Sequence, residues 1–569
     1  MIRLPALLTP ALLAVGGLLA LAVAAEMLLA RRLTIGGLRL AVLGLGLAML
    51  LAGVVRAARA RRFFVEEALP FAAALTPFLV WVANRTIELD FWYDELVTLN
   101  RYVFVPLQVT LTDYTFPNNH IFLNLLNNLY LKAAGLSQVT ALMDHPSFIR
   151  NLMLFYALVG SVYVYLAGRE FISRWVGLFS VLVLATSIPF FNFAAQVRGY
   201  GLSIALTGAL LFHGWRSAQA FSWRHLAAST AAAALLIYTI PSNIYIPASL
   251  AAWNILTGGR RLLRGGLKPL KPATLAGEFP LAFASLAGLA LAIALYSPML
   301  PAVMNNSVVN TRGLFNPVIL TKLLPRVLLH FVSARWLLAA PALAGLALLL
   351  TRADRRENPG AFQLAGGMAF LLLAPFLFSF VRGDPSFDRI YLAQLPAFSL
   401  LIGIGLHLLL RRLPRASRHP GWAALLLGLY AALVFSGQVL RNEALTRRNN
   451  AEGKGTQNIY TNYYLVDFKP DQLMRDFFSQ QDEQAHEFLI YNLGDNAAAR
   501  EYSARYFGYY PNTVDSLRGV KGIFYIITAF PDQFLAEAAV DNPRVTCERL
   551  NREVWYQNIF LCQTGATAP

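Results

Sequence analysis

Residues Leu364–Phe380, LAGGMAFLLLAPFLFSF, contain no charged side chain, and this stretch decides the class of fold. A helix needs roughly 17 to 25 mainly apolar residues to cross a bilayer, because every backbone amide must be satisfied within the segment. The rest of the chain has the same character, since 57% of its 569 residues are hydrophobic, 14% are charged and the mean hydropathy is +0.50. The sequence therefore predicts a helical integral membrane protein that crosses the bilayer many times.

Working outward from this stretch, we find thirteen apolar runs, several of them short, that are candidate spans. The first run is too long for a removable signal peptide and lacks the small-residue cleavage site, so we interpret it as a span. The predicted spans are Ala6–Ala30, Leu33–Val55, Ala68–Ala83, Leu152–Ala167, Val176–Phe191, Leu202–Trp215, Leu226–Ile240, Ile244–Leu256, Leu281–Leu295, Trp336–Leu350, Leu364–Phe380, Ile390–Leu410 and Trp422–Val439.

The net charge of +17 is explained by membrane topology without a nucleic-acid partner. Short basic loops occur at every second connection, and the positive-inside rule places such loops in the cytoplasm. The amino terminus is then cytoplasmic and the chain after Val439 is outside, although Arg31 and Arg32 fall on the outer side. The basic loops are Arg56–Arg62, Arg169–Arg174, Arg216–Arg224, Arg260–Lys271, Arg352–Arg356 and Arg411–Arg418.

Composition and topology predict three regions. Residues 1–62 form an amino-terminal transmembrane hairpin, residues 63–440 form a core with a long outer loop at 84–150, and residues 441–569 form an outer domain. In the last region acidic and amide residues return to ordinary frequency. His486–Tyr491 and Gly522–Thr528 are predicted strands, with a helix at Ala497–Tyr506 between them, which indicates a small α/β domain.

Both cysteines, Cys547 and Cys562, fall in this outer domain, where an oxidising compartment favours pairing. A tight hairpin at Asn551 and Arg552 would place Cys547 opposite Tyr556, and Cys562 would lie roughly 20 Å further along. A disulfide therefore requires a wide loop between the two strands. Two separately buried thiols are the alternative, and the sequence leaves both open.

The first outer loop contains two adjacent carboxylates, Asp94 and Glu95, directly after Phe91, Trp92 and Tyr93. A carboxylate held beside aromatic rings at a membrane interface is suited to act as the general base for a hydroxyl acceptor. Two solvated loop acids with no special role are the alternative interpretation.

The D-E pair is followed about 25 residues later by Phe116–Leu123, FPNNHIFL. This pattern resembles the bacterial protein-mannosyltransferase and aminoarabinose-transferase group of GT-C glycosyltransferases, the glycosyltransferase family 39-like group. In that group a D-E pair follows the first core span, and a second motif, often His-Pro-Pro-Leu, comes next. Here the histidine is His120, and the prolines after it are absent.

Three later motifs extend the resemblance in family order. Pro146–Arg150, PSFIR, opens the next span. Gln196–Leu202, QVRGYGL, is similar to the family's Gln-x-x-Arg-x-Tyr-x-Leu at the outer end of a helix. Asp388–Pro396, DRIYLAQLP, is similar to an Arg-Tyr-x-x-x-x-x-Pro element at the outer start of a late span.

The predicted topology places Asp94, His120, Arg198 and Arg389 on the outer side near the interface. Charged groups beside spans are costly unless they meet a partner, so the two arginines are expected to meet an anion. The resemblance implies the phosphate of a polyprenyl-phosphate sugar donor. An internal salt bridge or snorkelling to lipid headgroups is the alternative for each arginine.

The reaction that the resemblance implies is sugar transfer from a polyprenyl-phosphate donor, by displacement at an anomeric carbon, to a glycan, lipid or protein acceptor outside a bacterial inner or plasma membrane. Asp94 is the predicted base and Glu95 its support, and a single base with direct attack predicts inversion. The candidate residues for the donor phosphate or sugar are His120, Arg198, Tyr200, Arg389, Tyr391, Asn119 and Arg312.

Two of these candidates have a second interpretation. Arg312 lies in Pro298–Phe315, which suits either a mobile substrate lid or a plain connector. Asn118 and Asn119 either form a polar patch with His120 or cap a helix that has His120 in its first turn and Leu123, Leu126 and Leu129 along one face.

No ligand cluster with metal spacing, Walker loop, Rossmann fingerprint or cytoplasmic Asp-x-Asp appears in the sequence. We therefore expect no resident cofactor, and a divalent metal is compatible with the class but not indicated. The rival hypothesis is a transporter or flippase for a lipid-linked glycan. Internal repeats and ionisable residues deep within spans would favour it, and we find neither clearly.

Overall fold

The computed structural model describes residues 67–83, 87, 89–114, 119–265, 277–305, 314–333, 336–351, 356–383, 388–412, 444, 474, 475, 477, 486–491, 500–505, 509–528, 531–550 and 558–565. Three predicted spans, Ala6–Ala30, Leu33–Val55 and Trp422–Val439, lie outside these residues. In the described part the chain is mostly helical and contains one small sheet.

The helices follow one another through most of the chain. Helices α1 to α9 are Leu69–Trp81, Tyr93–Thr98, Leu107–Thr112, Ile121–Ala133, Thr140–Met143, Ser147–Phe171, Arg174–Ala185, Ile188–Phe193 and Tyr200–Gln219. Helices α10 to α17 are Trp223–Thr239, Tyr245–Gly265, Pro280–Tyr296, Leu300–Asn305, Leu324–Val332, Trp336–Leu348, Pro359–Arg382 and Leu395–Arg411. Helix α18 covers residues 500–505, and α19 is Pro531–Asp541. Short 3-10 helices lie at Pro241–Ile244 and Asp388–Gln394, and π-helical segments at Leu99–Val103 and Ile319–Leu323.

Three of the described helical segments, Ser147–Phe171, Pro359–Arg382 and Arg389–Arg411, are long and apolar enough to cross a membrane. Others are apolar but shorter, such as α12, whose Leu286 and Ile293 side chains are well exposed. A helix that exposes leucine and isoleucine in this way suits a lipid solvent. Each predicted span within the described residues falls on one helical segment, except Val176–Phe191.

The predicted span Val176–Phe191 is wrong in one respect, because it is two helices. Helix α7 ends at Ala185 and α8 begins at Ile188. Pro189 has no N–H to donate, and its ring would clash with the carbonyl of Ala185 in a continuous helix. Ser333 Oγ instead accepts the Ile188 N–H at 3.1 Å, which satisfies the start of α8.

The described contacts divide the chain into two compact units. The first falls within Met1–Val82, Val105–Leu136 and Ile149–Ser436, and the second within Ala83–Phe104, Ser137–Phe148 and Gly437–Pro569. Two parts of the long loop at 84–150 therefore group with the carboxy-terminal segment. The three predicted regions themselves stay predictions.

In the first unit, helices α15 and α17 pack with their backbones in close contact at small residues. A Cβ atom added at Gly405 would collide with the carbonyl oxygen of Ala342, and one at Gly345 would collide with the carbonyl oxygen of Gly405. Only glycine allows the two helices to approach this closely, as small residues do at helix interfaces in membranes.

We expect Gly405→Ala to separate α15 from α17 and to destabilise the protein by about 1–3 kcal/mol, as overpacking of a core does. The measurement is the thermal unfolding midpoint of the purified protein in detergent. Gly259→Ala in α11 is the matched control, because nothing lies within 4 Å of a Cβ built there. Equal midpoints for the two variants would contradict the close approach.

The second unit contains a five-stranded mixed sheet in the order β2-β1-β3-β5-β4. The strands are β1 Glu487–Tyr491, β2 Asn512–Val514, β3 Ile523–Thr528, β4 Val545–Arg549 and β5 Asn558–Thr564. Strand β1 pairs in parallel with β2 and β3, whereas β5 is antiparallel to β3 and β4. The two strands predicted from sequence are confirmed as β1 and β3, and the described part of the predicted helix between them is α18.

The sheet also resolves the pairing of the cysteines. Cys547 in β4 lies directly opposite Cys562 in β5, and their sulfurs are bonded. The tight hairpin is therefore wrong, because Arg549 is still paired with Phe560 and a longer connection joins the strands. The wide-loop alternative, which the bond requires, is the arrangement found.

Candidate functional site

His120 lies directly before α4 and contacts the segment that leads into α9. Its Nδ1 atom accepts a hydrogen bond from the backbone N–H of Gly199 at 2.7 Å, so a neutral ring carries its proton on Nε2. A Cβ atom at position 199 would come within 3.0 Å of Nδ1 and 2.8 Å of Thr239 Cγ2. Glycine in the QVRGYGL motif thus permits the close approach of backbone to imidazole.

The residues on either side of Gly199 complete the surroundings of this histidine. The Tyr200 ring meets the His120 ring edge-on, with centroids 5.6 Å apart. The Arg198 guanidinium lies 5.9 Å from the Tyr200 ring centroid, within range of a cation–π contact. His120, Arg198 and Tyr200 are all buried.

A third motif, that of Arg389, acts on His120 electrostatically. Burial holds the pKa of His120 well below its ordinary value, and the positive charges of Arg198 and then Arg389 lower it further. Arg389 stands on the 3-10 helix Asp388–Gln394. Three motifs that are distant in sequence therefore come together around one imidazole, which burial and two nearby guanidinium groups keep neutral.

Tyr391 lies on the same 3-10 helix as Arg389, and it faces the protein interior. Its ring stacks on Phe376 with centroids 4.1 Å apart, and its hydroxyl donates to Ser379 Oγ at 2.9 Å. Both partners belong to α16, so Tyr391 fixes the short helix that carries Arg389. Tyr391 was predicted to bind the donor, and in the structure it holds the Arg389 helix against α16.

Asn119 is likewise engaged with its own loop. Its Nδ2 donates to the carbonyl oxygens of Thr110 at 3.1 Å and Asp113 at 2.6 Å, and its Oδ1 accepts from Asn124 Nδ2 at 2.9 Å. Asn128 Nδ2 donates to Thr110 Oγ1 at 2.9 Å. These amides tie the segment before α4 to the helix, which sets the position of His120.

The buried face of α4 differs from the predicted one. Leu129 is half exposed, and the buried positions include three asparagines, Asn124, Asn127 and Asn128. The helix begins at Ile121, so His120 precedes its first turn, and Asn118 lies outside the described residues. The predicted site omits Asn127, whose amide atoms meet no hydrogen-bond partner among the described residues, although its spacing from Asn124 and Asn128 is visible in the sequence.

The D-E pair lies on α2, in the second unit. Glu95 is fully buried, and its Oε2 accepts the backbone N–H of Trp92 at 2.9 Å, which caps the helix. Asp94 is the preceding residue on the helix and is partly exposed. Phe91 and Trp92 are buried beside it, so the aromatic setting predicted for this pair is present.

Arg312 lies outside the described residues, as do all residues from 306 to 313 of the loop that carries it. Among the residues that are described, no three His, Cys, Asp or Glu side chains come together as a metal site.

Fold and site together define the class: a helical membrane protein in which three motifs, two of them with an arginine, surround a buried histidine, and which has a small carboxy-terminal mixed sheet. No family model matches the chain, and no curated protein sequence does. The likeness is to solved structures.

The structure is similar to ArnT, an aminoarabinose transferase, from Cupriavidus metallidurans, both bound to undecaprenyl phosphate and in the apo state. In each comparison the TM-score is 0.50 and the identity 14%; 89% and 88% of this chain and 99% and 98% of ArnT are covered. The apo oligosaccharyltransferase of Archaeoglobus fulgidus gives a TM-score of 0.42 at 13% identity, covering 84% of this chain and 72% of that one. The predicted resemblance to GT-C proteins is confirmed at the level of the fold.

We expect His120→Phe to destabilise the protein by about 1–3 kcal/mol, because the buried Gly199 N–H loses its acceptor. His120→Asn is the matched control, since its side-chain oxygen is able to accept the same hydrogen bond. Thermal unfolding in detergent compares the two. If asparagine is no better than phenylalanine, the hydrogen bond is not what stabilises this position.

The lowered pKa of His120 also predicts a pH dependence. As the pH falls below about 6.5, the unfolded chain binds a proton at this residue while the folded protein does not, so the folded state loses stability. His120→Asn removes this titratable side chain, so the stability of that variant lacks this pH dependence. The stability of the wild-type protein should therefore fall relative to this variant as unfolding is measured from pH 7.5 towards pH 5.5, and a constant difference would contradict a neutral His120.

Proposed function

We propose that this chain is an integral membrane glycosyltransferase that transfers a sugar from a polyprenyl-phosphate donor to an acceptor on the outer face of the membrane. The observation that carries the proposal is the convergence of Arg198 and Arg389 on neutral His120. Guanidinium groups and the Nε2–H of a neutral imidazole are donors of the kind that phosphate oxygens accept. A phosphate at the membrane surface is an anion that suits such a group of donors.

The fold supports the same donor. ArnT, which shares the fold over almost its whole length, was crystallised with undecaprenyl phosphate. Three of the motifs that carry the resemblance in sequence, those of His120, Arg198 and Arg389, build the surroundings of His120 here. We assign the phosphate to Arg198, Arg389 and His120, and we retain Tyr200 and Arg312 as further members of the donor site. Asn119 and Tyr391, which were predicted to bind the donor, support this site through the hydrogen bonds described above.

The proposed topology has thirteen spans in a bacterial inner or plasma membrane, with a cytoplasmic amino terminus and the carboxy-terminal domain outside. The basic loops at alternate connections support this orientation. The disulfide between Cys547 and Cys562 supports it independently, because such bonds persist in oxidising compartments.

In the proposed reaction, Asp94 accepts the proton of an acceptor hydroxyl while that oxygen attacks the anomeric carbon. The bond from this carbon to the phosphate oxygen breaks, and polyprenyl phosphate leaves with the bonding electrons. Negative charge grows on the phosphate, and Arg198 and Arg389 stabilise it more strongly in the transition state than in the ground state. Direct attack with one base inverts the anomeric centre. Glu95 acts through its capping hydrogen bond, which orients the helix that carries Asp94.

We expect Asp94→Asn to lower the rate of sugar transfer by about 10²- to 10⁴-fold, the contribution of a general base, with donor binding unchanged. The measurement is release of free polyprenyl phosphate from a panel of polyprenyl-phosphate sugars by the protein in lipid, with membrane extract as the acceptor source.

Asp90→Asn is the matched control, because it removes a carboxylate of similar exposure four residues earlier in the same loop. It should retain the activity of the original protein. Equal loss in both variants would mean that the loop requires negative charge and not a base at Asp94. No release from any donor by the original protein would contradict the transferase and favour a flux assay for lipid-linked glycan transport.

A further inference from the structure

Helix α18 of the carboxy-terminal segment contacts the loop that carries the D-E pair. The Tyr502 hydroxyl oxygen accepts the backbone N–H of Phe91 at 2.7 Å. Both residues are fully buried, so this hydrogen bond is shielded from water. Phe91 precedes Asp94 by three residues, and the bond therefore fixes the chain where it enters α2.

The neighbouring residue of α18 fixes the chain where it leaves α2. Glu501 Oε2 accepts from Asn100 Nδ2 at 3.0 Å, and Asn100 lies in the π-helical segment that directly follows the helix. Tyr510 Oη donates to the same carboxylate oxygen at 3.1 Å, which holds Glu501 in place from within the carboxy-terminal segment.

A third contact joins α18 to the other outer segment of this unit. Arg505 forms an ion pair with Asp144, but the Asp144 side chain is about half exposed. Exposed ion pairs contribute little to stability, so the hydrogen bonds of Tyr502 and Glu501 are the contacts that hold the loop.

The length of α2 makes these contacts necessary. It has only six residues, and an isolated helix of that length is not stable in water. The cap from Glu95 satisfies its first turn, yet a cap does not set where the helix lies. Tyr502 and Glu501, adjacent on one short helix, hold both ends of the segment between Phe91 and Asn100.

We propose that Tyr502 and Glu501 are positioning residues for the base of the transfer reaction: they hold Asp94 through Phe91 and Asn100, which makes α18 a part of the catalytic apparatus. This inference rests on the proposed function for its catalytic meaning, whereas the restraint itself is independent of it. The carboxy-terminal domain then acts on the chemistry through the loop.

The test uses the full-length protein in lipid and compares Tyr502→Phe with Tyr491→Phe. Each variant removes one phenolic hydroxyl from a buried ring of the same domain, but the Tyr491 hydroxyl donates to Glu537 and not to the loop. Hydrogen exchange followed by mass spectrometry reports the protection of residues 89–104. Release of free polyprenyl phosphate from the sugar donor is measured in parallel. Binding of undecaprenyl phosphate gives the active fraction of each preparation, by which the rates are normalised.

We expect Tyr502→Phe to speed exchange in residues 89–104 by about tenfold or more, since a buried amide loses its partner. The turnover number should fall by about ten- to a hundredfold, as misplacement of a catalytic group does, with KM for the donor unchanged. Tyr491→Phe should leave exchange in this segment unchanged. Asn100→Ala, which breaks the second contact from the loop side and leaves the domain intact, should speed exchange in the same direction.

Unchanged exchange in Tyr502→Phe and Asn100→Ala would overturn the proposal. Equal acceleration in Tyr491→Phe would also overturn it, because general loosening of the domain would then explain the effect. Faster exchange with normal turnover would show a restraint without a catalytic consequence, which overturns the positioning role. If the original protein releases no polyprenyl phosphate from any donor while exchange changes as expected, the proposed function is wrong. The contacts of Tyr502 and Glu501 with the loop are then confirmed without a catalytic role.

Discussion

The hydrogen bond from the Gly199 N–H to His120 Nδ1 is the interaction on which the arrangement of the first unit's motifs depends. It joins the segment before α4 to the segment before α9, and it requires an unprotonated Nδ1. The charges of Arg198 and Arg389 disfavour a second proton on the ring and so maintain the acceptor. Burial, and after it the charges of the two arginines, keep the histidine neutral, so the environment of the ring preserves the atom that accepts this hydrogen bond.

Several motif residues serve this arrangement by positioning and not by contact chemistry. Asn119 ties its loop to α4, Tyr391 fixes the helix of Arg389 against α16, and Glu95 caps α2. Their polar atoms are buried, and a buried polar group is costly unless it is hydrogen-bonded. A residue of a motif is therefore able to serve the site through its hydrogen bonds alone, without contact with a substrate.

The sequence alone predicted the elements whose cause is local. Apolar runs predicted the helices, and apolar patterns predicted β1 and β3. The resemblance to the GT-C group indicated His120, Arg198 and Arg389 as candidate site residues. The sequence did not predict the features that depend on contacts between distant segments. The start of α8 depends on the serine of a distant segment, Ser333, and the pairing of Cys547 with Cys562 depends on a strand register that the intervening turn does not determine. One interpretation placed Leu123, Leu126 and Leu129 along one face of α4, yet Leu129 is half exposed and asparagines lie on the buried face, where Asn124 and Asn128 hydrogen-bond to the loop before the helix.

The two carboxylates of the D-E pair illustrate why adjacency in sequence does not mean equivalence in function. Successive residues on a helix point about 100° apart, so two neighbouring acids do not share a direction. The Glu95 side chain is fully buried and points towards the amino end of α2, where its carboxylate accepts the Trp92 N–H. Asp94 keeps partial exposure, which the proposed base requires in order to exchange a proton with a substrate. The cap and the proposed base are therefore different residues. The hydrogen bonds from α18 restrain the chain on either side of this helix, and under our proposal they determine how accurately the Asp94 carboxylate is presented.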